Sequence, residues 1–87
     1  MLTKRQKQYV IKKYRTHEND TGSPQVQIAI LSREIEELTK HLRKHKKDYS
    51  SRRGLIKKVH ERRKLLKYLN REDREACEEL KESLDLK

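Results

Sequence analysis

Ser23 to His45, SPQVQIAILSREIEELTKHLRKH, decides the fold. A hydroxyl residue followed by proline is a strong helix start, because Ser23 can cap the first free amides and Pro24 stands where its missing N–H costs nothing. Ile28, Leu31, Ile35, Leu38 and Leu42 then recur at intervals of three, four, three and four. That is the seam of a helix that packs lengthwise on another helix. Val26, Ala29 and Ile30 thicken it, and the spacing predicts a helix running to about His45.

Downstream, a basic loop leads to a second long helix starting near Ser51, with Leu55, Ile56, Val59, Leu65, Leu66 and Leu69 as its apolar residues. Arg53, Lys57, His60, Lys64, Lys67 and Arg71 step along it by four, three, four, three and four, so these cations share one face. A short last helix starts with Asp73 as N-cap and buries Ala76, Cys77, Leu80 and Leu84; its many glutamates read as a solvated face. Upstream, Thr3 followed by Gln6 has capping-box spacing, and Val10, Ile11 and Tyr14 follow at helical intervals. The first helix should run from about Thr3 to Tyr14 or Thr16, weakly held by so few apolar residues. The break His17 to Ser23, HENDTGS, is rich in turn formers, with Gly22 free to take a positive φ. No strand-like alternation, internal repeat or low-complexity tract interrupts the pattern. The expected fold is all-α: a small four-helix protein, one domain over residues 1–87, in which a long antiparallel helical hairpin is closed by short helices.

The composition is near the limit of what folds. Only 31% of the 87 residues are hydrophobic and 44% are charged, so the core depends on the regular placement of the apolar residues. The single cysteine, Cys77, excludes an internal disulfide, fits a reducing compartment, and is most simply a small core residue. No apolar run approaches the ~20 residues of a membrane span. The start, MLTKRQKQYV, lacks the apolar stretch of a secretory signal, so a cytoplasmic protein is expected.

The net charge of +10 is unevenly spread. Residues 40–71 carry fourteen Lys/Arg against two acids, +12, whereas residues 72–87 carry −4. A local cationic surface is the footprint of a nucleic-acid contact. A membrane-surface helix is disfavoured because the chain has no Trp and no Phe to anchor it.

The segment His41 to Gly54, HLRKHKKDYSSRRG, is the most informative part of that surface. Lys44, Lys46, Lys47, Arg52 and Arg53 suit a phosphate backbone, as do Lys57, Lys64 and Arg71 along the following helix. Arg52 and Arg53 stand at a helix start, where the macrodipole disfavours cations by about a few tenths of a kcal/mol, which points to an external anion. Asp48 is the anomaly: phosphate would repel it unless it faces donors such as base amino groups or sugar hydroxyls, so the segment is built to position by charge and read by hydrogen bond. The wide, shallow minor groove of A-form RNA offers such donors to a short acid and a serine.

Other readings are weaker. His41, Asp48 and Ser51 are the residue types of a hydrolytic triad, but nothing supplies an oxyanion hole or an apolar pocket, so no enzyme is expected. His41 and His45 have metal-ligand spacing, yet surrounding lysines repel a dication, and neither a metal nor another cofactor is expected. Tyr68, beside the basic stripe, is placed either to stack on a base or ribose or to be partly buried; Tyr49, in the loop, is more ambiguous still. A rival from another class is a helical protein-interaction module that recognises an acidic partner through the same stripe.

TGSPQVQ from Thr21 to Gln27, HLRKHKKDYSSRRG from His41 to Gly54, and RRKLLKYL from Arg62 to Leu69 together resemble the bacterial-type family of the small ribosomal subunit protein numbered fifteen. The likeness runs from about Thr3 to Leu86. It implies a four-helix protein that binds the central domain of small-subunit ribosomal RNA at two places. Residues matching Thr21, Gly22, Gln27 and Tyr68 would meet a three-way junction; residues matching His41, Asp48 and Ser51 would meet the minor groove of an adjoining helix. It also implies a role in subunit assembly beside other small-subunit proteins, a bridge to large-subunit ribosomal RNA, no small-molecule substrate, and a monomer when free. Three positions depart from the family pattern: Glu34 where relatives often carry a basic residue, His60 where glycine is common, and Arg74 where proline is frequent. None falls in the two central motifs.

Overall fold

The computed structural model describes residues 2–15 and 22–86. It contains four helices, α1 (Lys4–Tyr14), α2 (Pro24–Lys44), α3 (Tyr49–Glu72) and α4 (Arg74–Ser83), and no strand among the described residues. The all-α expectation holds. So do three of the helix starts. Thr3 Oγ1 accepts from the Gln6 amide at 3.1 Å while Gln6 Oε1 accepts from the Thr3 amide at 2.9 Å, closing the capping box on α1. Ser23 Oγ accepts from the Val26 amide at 3.3 Å with Pro24 as the first helical residue, and Asp73 Oδ1 accepts from the Ala76 amide at 3.1 Å.

The start of α3 differs from the expectation. It begins at Tyr49, not near Ser51, because Asp48 is its N-cap and accepts from the Ser51 amide at 3.1 Å. The loop between the long helices thus shrinks to His45–Asp48. A connection this short forces α2 and α3 to run antiparallel, side by side.

Their packing follows from the seam. Val26 and Ile28 are fully buried, and Ala29 and Leu31 nearly so. Ile28 forms one cluster with Leu69 of α3 and Cys77 and Leu80 of α4, against which Tyr14, Leu65, Leu66, Ala76 and Leu84 pack. The short helices therefore meet the same core. Tyr14 Oη also lies 3.2 Å from Ser83 Oγ, tying the end of α1 to the end of α4. α1 packs on α2 and buries Val10. Two polar links cross the hairpin: Lys58 Nζ donates to Glu34 Oε1 at 3.4 Å, and Arg62 donates to Ser32 Oγ at 3.3 Å. Burial draws the Arg62 guanidinium below the ordinary arginine range.

Two further details depart from the expectation. Ile56 is not part of the apolar seam; it is 51% exposed. The inward series on α3 is Leu55, Val59, Arg62, Leu66 and Leu69, at helical intervals, and Ile56 stands one residue beyond its start, a turn of 100° onto the basic face. Gly22 takes no positive φ. Cys77 is the core residue its sequence context predicts.

Candidate nucleic-acid interface

The hairpin turn brings His41, Asp48 and Ser51 into one hydrogen-bonded cluster. His41 lies in the last turn of α2, Asp48 caps α3, and Ser51 sits in its first turn. Asp48 Oδ2 accepts from Ser51 Oγ at 2.7 Å and lies 2.7 Å from His41 Nε2, while Oδ1 accepts from the Ser51 amide. The Ser51 hydroxyl first, then His41, then the Ser51 amide stabilise the carboxylate and hold its pKa far below the usual range. An acid among cations is thus accounted for within the chain.

This geometry also fixes what the cluster offers outward. In a neutral imidazole that gives its Nε2 proton to Asp48, Nδ1 is an acceptor. Ser51 Oγ, having directed its proton to Asp48, presents lone pairs. With His41 in that tautomer the triad offers acceptors, which complement donors.

The surrounding tip is well braced. The Asp48 amide donates to the His45 carbonyl at 3.1 Å and the Tyr49 amide to the Lys47 carbonyl at 3.0 Å. The Arg52 guanidinium donates to the Lys46 carbonyl at 2.8 Å, so the placement that pointed to an external anion has an internal partner as well. The rings of His41 and His45 lie 4.6 Å apart. A shallow groove is lined by His41, Lys44, His45, Lys46, Lys47 and Asp48. Among the described residues no group of three or more His, Cys, Asp or Glu side chains is placed to hold a metal.

A second locus lies at the opposite end of the hairpin. Gln27 Nε2 donates to the Gly22 carbonyl at 2.6 Å, fixing the amide across the start of α2. Thr21 lies outside the described residues. The cross-links Glu34–Lys58 and Ser32–Arg62 set the antiparallel register, and counting on from them brings Val26 level with Leu66 to Tyr68 and Gln27 level with Leu65 to Lys67. Tyr68 is 46% exposed, with the Arg71 guanidinium 5.7 Å from its ring centre. Gln27 and His41, fourteen residues apart on one helix, stand about 21 Å apart along its axis.

Between the two loci runs the basic stripe. Arg53, Lys57, His60, Lys64, Lys67 and Arg71 are all exposed, as the spacing predicts. The tertiary structure adds residues that the sequence reading missed. Lys7 of α1 shares a groove with Gln27 and Lys64, a proximity that depends on how α1 docks and leaves no trace in sequence spacing. Lys58 is not free for phosphate, because it neutralises the nearly buried Glu34. Tyr49, at the hairpin tip, is 59% exposed with the Arg52 guanidinium 5.7 Å from its ring centre.

Comparison with known proteins gives matches over nearly the whole chain. The family model described as Ribosomal protein S15 matches residues 6–87. A protein of Carboxydothermus hydrogenoformans named small ribosomal subunit protein uS15 is 56% identical over 86 residues, covering 99% of this chain and 97% of its own length. Proteins of the same name from Dictyoglomus thermophilum and Limosilactobacillus fermentum are 54% and 52% identical over the same coverage.

Proposed function

The chain belongs to the ribosomal protein S15 family, and from that premise we propose that it binds the central domain of small-subunit ribosomal RNA at two places. As a family member it is a structural, non-enzymatic component of the small ribosomal subunit in the cytoplasm. No helix among the described residues is long and apolar enough to cross a membrane.

In the proposed mechanism residues 1–87 act as one RNA-binding domain. His41, Asp48 and Ser51 read a minor groove; Gly22, Gln27 and Tyr68, with Thr21, meet a three-way junction; Lys44, Lys46, Lys47, Arg52, Arg53, Lys57, Lys64 and Arg71 hold phosphates. The convergence of His41 and Ser51 on the Asp48 carboxylate, at 2.7 Å each, is the observation that carries this reading. The minor groove of A-form RNA displays sugar hydroxyls and guanine amino groups, the donors such a cluster complements. The rigid hairpin fixes the spacing of the two loci. Holding both would set the geometry of the junction for later small-subunit proteins to join, and in this reading the basic tip reaches large-subunit RNA in a bridge.

The test is a comparison of two variants on two RNAs, a junction RNA and a plain duplex. Lys64→Ala should weaken both alike and flatten the logarithmic salt dependence by about one unit. Asp48→Ala should weaken the junction RNA selectively. Equal losses on both RNAs for Asp48→Ala would refute the readout role.

A further inference from the structure

The proposed contacts give Tyr49 no role, although Arg52, assigned there to phosphate, lies against its ring. Tyr49 is the first residue of α3, and its side chain takes no part in the Asp48 network. It is 59% exposed, in a chain whose hydrophobic side chains are scarce. Its position is nevertheless fixed: its amide is bound to the Lys47 carbonyl, Asp48 before it is held by the His45 carbonyl, and Arg52 is tied to the Lys46 carbonyl. The guanidinium so anchored lies 5.7 Å from the Tyr49 ring centre. The pair also lies outside the groove lined by His41, Lys44, His45, Lys46, Lys47 and Asp48. The tip therefore carries two separable surfaces.

The same device recurs at the other end of the helix. Tyr68 and Arg71 have the same spacing in sequence and the same 5.7 Å separation, and Tyr68 is likewise exposed. Nineteen residues apart, the two tyrosines stand about 28 Å from one another along α3. An exposed aromatic ring with a cation against it, set among phosphate-holding lysines, is the composition of a base-stacking platform. A paired base within a duplex exposes no face to such a ring. An unpaired base does.

Resting on the RNA-binding reading above, we propose that Tyr49, braced by Arg52, is a stacking site for an unpaired RNA base that lies beside the helix read by His41, Asp48 and Ser51. Recognition is by the face of the base, so it is tolerant of sequence but demands a single-stranded nucleotide. The Arg52 guanidinium contributes cation–π attraction and stands ready for the adjoining phosphate.

The experiment measures fluorescence anisotropy with the full chain and two labelled RNAs, a plain duplex and the same duplex carrying a short unpaired adenosine tract. The wild type should prefer the extended RNA. Tyr49→Ala should reduce that preference by roughly 5- to 150-fold, the effect of losing one base stack, and Tyr49→Phe should retain it. Unchanged preference in Tyr49→Ala, equal loss on both RNAs, or no wild-type preference would each overturn the stacking site. Failure of the wild type to bind either RNA would instead overturn the RNA-binding reading on which it rests.

Discussion

Asp48 combines two tasks in one carboxylate. It caps α3 through Oδ1 and orients His41 and Ser51 through Oδ2, so the group that starts the helix also sets which atoms the tip presents. The residue types of this cluster are legible in the sequence, and so is the oddity of an acid among cations. What the sequence does not display is that the donors are the protein's own, because His41 and Ser51 converge on Asp48 only when the chain has turned. The consequence is a definite pH dependence. Asp48 has a folded pKa depressed below its unfolded value, so its contribution to stability is full above about pH 4 and falls as the pH drops below that, where the unfolded chain takes up the proton first. Thermal melts of the wild type and Asp48→Ala should differ clearly at neutral pH, and the gap should narrow steadily in acid. A gap undiminished at the acid end would show that the charge of Asp48 is not what stabilises the turn.

At the scale of the elements, the long hairpin is held by an apolar seam and two polar links. Glu34 is the instructive one. It stands nearly buried on α2, and Lys58 of α3 reaches it across the interface with its own side chain only 17% exposed. Its partner stands 24 residues away, and only the helix register brings the two together. Removing the lysine head by Lys58→Met should leave the acid without its partner and cost about 1–3 kcal/mol. The double variant Glu34→Leu/Lys58→Met should recover most of that, since an apolar pair of similar volume replaces a partly desolvated ion pair. Urea unfolding of the wild type and the two variants reads both values; a single variant as stable as the wild type would show that the link contributes nothing. Ile56 makes the converse point about elements. Its hydrophobicity assigns it to the seam, yet the 100° step between neighbours places it among the cations.

On the scale of the whole molecule, charge and shape are matched. The body measures 39 × 27 × 18 Å, and the +12 segment runs from the end of α2 along α3 while the acids gather on the tail that forms α4. Concentrated positive charge repels itself in the free protein and attracts a polyanion, so salt should act with opposite sign on the two properties. Raising monovalent salt from about 50 to about 200 mM should raise the melting temperature of the free protein. The same change should weaken RNA binding roughly 500-fold if about five phosphates are neutralised. A salt-independent affinity would rule out the stripe as the source of binding energy.

The sequence by itself determined the number and type of the helices, three of their four starts, the composition of the core apart from Ile56, and the face on which the cations lie. Each of these is local: caps act over three or four residues, and helical periodicity sorts side chains onto faces before any tertiary contact forms. Only the tertiary structure decided which groups meet. The pairing of His41 and Ser51 through Asp48, the neutralisation of Glu34 by Lys58, the docking of α1 that brings Lys7 beside Gln27, and the bracing of Tyr49 by Arg52 and the tip backbone depend on chain reversal and helix register. Those are set by burial of the whole seam at once, a cooperative quantity that no short stretch of the chain contains.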